Sequence, residues 1–85
     1  MQGNNINMFK ETDIIKIVKE DILRITGERK QGVSSDIIER EIKASPSFIS
    51  KGIEELEKEQ SIQSKGVFFE LTEKGQKEEK DELRR

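Results

Sequence analysis

The sequence lacks several of the residue types that carry most protein chemistry. Its 85 residues include no cysteine, histidine, tryptophan or tyrosine, and only one proline. Without cysteine there is no disulfide framework and no thiolate metal site. Without histidine and cysteine, the usual general bases, thiol nucleophiles and transition-metal ligands are also missing. We therefore expect no enzymatic activity, no catalytic residues, no metal site and no bound cofactor.

Apolar residues are also scarce, at 31% of the chain, whereas 40% of the residues are charged. No apolar run approaches the roughly 20 residues that a membrane-spanning helix needs, and the N-terminus MQGNNINMFKE does not resemble a signal peptide. A chain of this length forms one small domain, which buries only somewhat more than about 60% of its unfolded surface. These features predict a cytoplasmic protein without membrane contact, and they favour a homodimer in which a second copy adds burial.

The first part of the chain predicts a polar arm and one amphipathic helix. Residues 1–11 are rich in asparagine, and we expect a flexible arm there. A helix is predicted over 13–26, because Thr12 can cap its start and Gly27 can end it. Its apolar residues recur at helical spacing: Ile14, Ile15, Val18, Ile22 and Ile25. Ile17 falls outside this stripe, either as a lone exposed residue or as part of a strip that faces a partner.

The loop that follows the first helix carries two cations, Arg29 and Lys30. These side chains are either solvated or in contact with a phosphate beside the domain. Val33 is predicted to form a single short strand, and the serines that follow it can cap a second helix.

Two closely spaced helices are predicted next. The second helix runs to about Lys43 and buries its isoleucines: Ile37, Ile38 and Ile42. Ser45-Pro46-Ser47 is a strong start for a third helix over about 46–59, since serine caps free amide groups and proline suits the first helical position. The third helix packs through its apolar residues and a glycine that permits close approach of a neighbour: Ile49, Gly52, Ile53 and Leu56. Helices joined this tightly must cross steeply, as in a helix-turn-helix.

A β-hairpin is predicted over 61–71, with Lys65-Gly66 as a two-residue turn in which glycine takes a positive φ. Period-two alternation then sends four residues to the core: Ile62, Val67, Phe69 and Leu71. The same alternation leaves Phe68 on the outer face, and the helical period leaves Phe48 off the apolar stripe of the third helix. Phe48 is there either to bind a partner or to fill a gap between the first and third helices.

The remaining residues predict a C-terminal helix that Thr72 can cap. With Leu83 as its sole apolar residue, this helix cannot bury a stripe of its own. It is either a solvated tail or an element that a second subunit orders. The predicted fold class is thus α+β and mainly helical, with a winged helix-turn-helix domain over 12–75 and a helical extension over 76–85.

The segment from Ser34 to Gly75 resembles the winged helix-turn-helix core of MarR- and PadR-type transcription regulators. The typical pattern has a Ser-Pro-Ser/Thr start to the recognition helix, then Val-Ser-Arg, a Leu-Glu exit, and an aromatic-x-Leu-Thr-x-x-Gly return from the wing. Here Ile49-Ser50-Lys51 stands for Val-Ser-Arg, and the wing closes with FELTEKG, residues 69–75. Gln60 stands where these families have a glycine.

This resemblance implies a small, sequence-specific regulator that binds double-stranded DNA. The third helix would lie in the major groove and the hairpin would act as the wing. Carried over position by position, Ser45, Ser47, Ser50 and Lys51 face DNA, and Lys65 is the cation at the wing tip. Serine hydroxyls bind phosphates, and a lysine contacts a phosphate or a guanine edge. Phe48, Arg29 and Lys30 complete the expected DNA-binding set. Neither the target sequence nor a small-molecule effector is indicated.

The charge distribution favours an alternative function. The net charge is −2, and residues 33–60 carry four basic against seven acidic side chains. Together with Phe48 and Phe68, which the pattern places off the core, the acidic third helix supports the alternative of a winged helix that binds another protein and not DNA.

Overall fold

The computed structural model describes residues 10–29 and 32–83, with side chains described as far as residue 80. Over these residues the chain forms four helices and three short strands: α1 (Glu11–Glu28), β1 (Val33–Ser34), α2 (Ser35–Glu41), α3 (Pro46–Lys58), β2 (Ile62–Lys65), β3 (Phe68–Leu71) and α4 (Glu73–Leu83). The protein is therefore α+β and mostly helical, as predicted. Most of the expected N-terminal arm lies outside the described residues.

Helix α1 supplies the largest part of the core. The predicted stripe is confirmed, with Leu23 in addition: Ile15, Val18, Ile22, Leu23 and Ile25 are buried, and Ile14 is partly buried against them. The helix is longer at both ends than predicted. It begins after Lys10, whose backbone N–H donates to the Asp13 carboxylate at 3.4 Å, rather than after Thr12. It continues through Gly27, where a side chain of α4 packs against the glycine.

Helices α2 and α3 follow local signals that the sequence shows clearly. Ser34 caps α2 by accepting a hydrogen bond from the Ile37 amide at 3.4 Å, and α2 ends at Glu41, two residues before the predicted end. Helix α3 starts at Pro46 as expected. Gly52 is buried, and a Cβ there would lie 2.9 Å from Cγ1 of Val18. The predicted close approach of a helix at this glycine is confirmed, and that helix is α1.

The three strands form one antiparallel sheet in the order β1-β3-β2. The predicted short strand at Val33 is confirmed, because Val33 is fully buried and pairs with Phe69. A helix, a strand, two helices and a hairpin in this order are compatible with the predicted winged-helix arrangement, to which α4 is added.

The predicted hairpin turn is wrong by one residue. The turn residues are Gly66 and Val67, and Lys65 pairs with Phe68. Gly66 has the expected positive φ, +63°. Val67 is 74% exposed instead of buried in the core.

Cross-strand pairing explains this register of the hairpin. Ile62 lies opposite Leu71, and both side chains are on the face that packs against the core. Gln63 lies opposite Glu70 on the outer face, where the Gln63 side-chain amide donates to the carboxylate at 3.2 Å. In these two pairs an apolar residue meets an apolar one and a polar residue meets a polar one, an arrangement that stabilises an antiparallel pair. Nearer the turn, Ser64 lies opposite Phe69 and Lys65 lies opposite Phe68. Phe68 is 46% exposed, as predicted.

Helix α4 is fastened to the junction between α3 and the hairpin. Thr72 caps it as predicted, because its Oγ1 accepts from the Gly75 amide at 3.1 Å. A Cβ at Gly75 would lie 2.0 Å from the carbonyl oxygen of Ser61. Ser61 is fully buried, and its hydroxyl donates to the Glu78 carboxylate. Helix α4 therefore packs on its own chain, and the predicted boundary between residues 75 and 76 falls inside it.

Candidate nucleic-acid interface

The exposed side of α3 brings together most of the residues predicted to face DNA. Ser47, Ser50 and Lys51 are exposed, and they share one face because Ser50 and Lys51 follow Ser47 by three and four residues along the helix. Ser45 is exposed just before the helix. It does not cap α3 through its side chain, and its hydroxyl lies 3.2 Å from that of Ser47. These groups form a continuous row of small polar donors and acceptors that ends in a lysine.

Phe48 does not belong to this exposed row. Its side chain is partly buried and packs against the hydrophobic core, whereas the helical period of the sequence placed it off the core. The physical reason is its position one turn before Gly52. Residues four apart share a face of a helix, and at this glycine α3 packs closely against α1.

Two of the other predicted cations form ion pairs within the protein. Arg29 pairs with Glu41, and Lys65 pairs with Glu70 at 3.4 Å. Both pairs are solvent-exposed, so each contributes about 0–1 kcal/mol at most, and a phosphate can replace the carboxylate. Lys30 lies outside the described residues. Among the residues that the structure describes, Lys51 forms no ion pair.

Lys19, a residue of α1, partly neutralises the negative charge at the C-terminal end of α3. Its ammonium lies 2.6 Å from the carboxylate of Glu59 and 3.4 Å from that of Glu55. Burial lowers the pKa of Lys19, but the hydrogen bonds and negative charges of Glu59 and Glu55 outweigh this effect and raise the pKa above its ordinary value. Lys19 is therefore charged at every physiological pH.

Lys19 is not among the residues that the sequence predicts to contribute to the site. Lys19 is 36 residues before Glu55 and 40 residues before Glu59. No pattern of neighbouring residues in the sequence predicts contacts over such separations. The only signal was its place directly after Val18, at the edge of the buried stripe of α1.

Two open clefts lie on the surface of the described residues. One open cleft of about 570 Å³ lies between the end of α3, β2 and the start of α4. Another of about 510 Å³ lies between the end of α1, β3 and α4. Among the side chains that the structure describes, which end at residue 80, no three acidic ones converge closely enough to hold a metal ion. No helix within residues 10–29 and 32–83 is long and apolar enough to cross a membrane.

Comparison with known proteins gave no match: no family model, no curated protein and no solved structure matches this chain.

Proposed function

We propose that the protein is a winged-helix transcription regulator of the MarR/PadR type that binds double-stranded DNA and has no enzymatic activity. The observation that carries the proposal is the exposed row of Ser47, Ser50 and Lys51 on α3. A helix that follows a tight turn and presents small hydroxyls and a cation is suited to the major groove. The sequence resemblance over 34–75 supports the same function.

In this proposal α3 enters the groove from its N-terminal end, as far as the turn that follows Lys51. The serine hydroxyls bind phosphates and fix the register, while Lys51 contacts a phosphate or a guanine edge. Lys19 holds Glu55 and Glu59 toward α1, so that these two carboxylates oppose the DNA phosphates less. Arg29 and Lys65 exchange their carboxylate partners for phosphates when DNA binds.

We further propose that the regulator acts as a homodimer in the cytoplasm. The absence of cysteine supports the location. Exposed Ile17 on α1, 48% accessible, supports a second subunit on that side of the molecule. Two recognition helices would then lie about one DNA turn apart, roughly 34 Å, and would favour palindromic sites.

Charge reversal at Lys51 tests the proposal. The wild-type protein should bind a mixed pool of duplex DNA, with an affinity that falls with salt at a log–log slope of about −0.9 per neutralised phosphate. Lys51→Glu should lose most of this binding and keep its thermal melt, because Lys51 is exposed. Fluorescence anisotropy over a salt series measures both quantities.

Lys77→Glu is the matched control, since Lys77 is exposed on α4 and the substitution changes the net charge equally. Its binding should stay close to wild type. Equal losses in both variants would show that only the net charge matters, and an unchanged affinity for Lys51→Glu would contradict the proposed role of α3.

A second candidate function is association with another protein. The observations that favour it are the apolar side chains at the hairpin tip, Val67 and Phe68, together with the internal ion pairs of Arg29 and Lys65. If the wild-type protein binds no duplex even at low salt, this second function becomes the better explanation of the fold.

A further inference from the structure

Four glutamates lie in the second half of α3 and at the residue that follows it, and one of them differs from the others in its contacts. Glu55 and Glu59 both contact the ammonium of Lys19. Glu57 accepts a hydrogen bond from the Ser64 hydroxyl at 2.8 Å. Glu54 is exposed, and within the described part of the chain no side chain forms an ion pair or hydrogen bond with it. Three of the carboxylates are therefore held by the protein, and the fourth is available to a ligand.

The position of Glu54 places it on the proposed DNA-binding face. It follows Ser50 by four residues and Lys51 by three, so the three side chains share one face of the helix. At 1.5 Å per residue, Glu54 lies about 10 Å along α3 from Ser47. It is thus the next side chain after Lys51 on the exposed row.

A carboxylate on a DNA-binding face must avoid phosphates, which repel it, but it has a favourable partner among the bases. The N4 amino group of cytosine donates a hydrogen bond into the major groove, and glutamate is the side chain that accepts it. The neighbouring lysine suits the N7 and O6 acceptors of guanine. Lys51 and Glu54 lie side by side on the helix, Lys51 as a donor and Glu54 as an acceptor. Together they match a base-pair step that contains G·C pairs.

We infer that Glu54 is a specificity-determining residue that reads a cytosine in each half-site of the DNA target. The inference rests on the proposed DNA-binding function and adds to it the base that one residue selects. Glu54 lowers the affinity for sequences without cytosine at its position, because the carboxylate then lies unpaired in a negatively charged groove. Where cytosine is present, its N4 amino group pairs with the Glu54 carboxylate, and the affinity is not lowered.

Selection from a randomised duplex pool, followed by sequencing of the bound fraction, tests the inference. The wild-type protein should select a half-site with cytosine at one fixed position, with a discrimination of about 5- to 150-fold over the other bases. Glu54→Ala should lose the preference at that position alone and keep the rest of the site. Glu54→Gln should shift the preference toward adenine, since glutamine pairs with the N6 and N7 groups of adenine.

Glu55→Ala is the matched control, because Glu55 faces Lys19, which keeps its closer partner Glu59 in this variant. Its selected site should equal that of the wild type. The inference is overturned if Glu54→Ala selects the same site as the wild type. It is also overturned if Glu54→Ala binds all sequences more tightly by one common factor, since this is the signature of phosphate repulsion alone. A wild-type protein that binds no duplex overturns the proposed function itself, and with it the role of Glu54.

Discussion

Gln60 and Gly75 are the two residues on which the junction between α3, the hairpin and α4 depends. Gln60 has a φ of +64°. Its amide donates to the carbonyl of Glu57 at 3.0 Å, and the Ser61 amide donates to that of Leu56 at 2.9 Å. These two bonds form the motif that ends many helices with a left-handed residue, usually glycine. The sequence pattern predicts a glycine at this position, and in this chain a glutamine adopts the left-handed conformation instead.

Replacing Gln60 with glycine should stabilise the protein. A non-glycine residue in the left-handed region costs about 1–2 kcal/mol, part of which is offset by the greater freedom of glycine in the unfolded chain. We expect Gln60→Gly to raise the free energy of unfolding by about 0.5–1 kcal/mol in urea denaturation. Gln63→Gly is the control: it removes a side chain from strand β2 and should lower stability by about 0.5–1 kcal/mol. A loss of stability in Gln60→Gly would mean that the left-handed turn is wrong.

Gly75 shows what sequence reasoning misses at the level of one residue. The closing LTEKG was recognised as a motif, but the motif alone gives no reason for its glycine. The reason is a contact with Ser61, whose carbonyl oxygen occupies the space where a Cβ would be. Such a contact between two backbones exists only in the folded chain.

At the scale of elements, the sequence predicts correctly the features that depend on neighbouring residues and misses those that depend on contacts between distant residues. The starts of α3 and α4 depend on Pro46 and Thr72 and their immediate neighbours, and both were predicted correctly. The hairpin register depends on which side chains meet across the strands, so the turn was placed one residue too early. Phe48 is partly buried against the core rather than off it, because its surroundings depend on how α3 packs and not on its neighbours in the sequence.

The register can be checked with the two phenylalanines of β3. Phe69 is partly buried and packs against the core, whereas Phe68 is 46% exposed. Truncating a fully buried phenylalanine costs about 3–5 kcal/mol, so Phe69→Ala should cost about 2–3 kcal/mol because it is only partly buried. Phe68→Ala should cost less than about 1 kcal/mol. Thermal melts of the two variants measure the difference, and equal losses would contradict the observed register.

At the scale of the whole molecule, α4 changes the argument for a homodimer. Because α4 packs on α1 and β3 of its own chain, it needs no second subunit to become ordered. The support for the dimer is now the exposed side of α1 around Ile17.

Light scattering tests this assembly directly. At high micromolar concentration the wild-type protein should have the mass of a dimer, and Ile17→Lys should have the mass of a monomer, because a charge at an apolar contact opposes association. Lys16→Ala, an exposed neighbour on the same helix, should leave the mass unchanged. A monomeric wild-type protein would contradict the homodimer.

The order of the sheet also determines when its strands can assemble during folding. Strands β2 and β3 are joined by a two-residue turn, but β1 reaches β3 only after the segment that contains both α2 and α3 has closed into a loop. The entropy of closing that loop is lost before the pairing of Val33 with Phe69 contributes any stability.

We therefore expect β1 to join the sheet late in folding. Val33→Ala should accelerate unfolding and change the folding rate little, giving a φ-value below about 0.3 in stopped-flow chevrons. A slower folding rate that accounts for most of the lost stability would instead place β1 in the transition state, ahead of the completed hairpin.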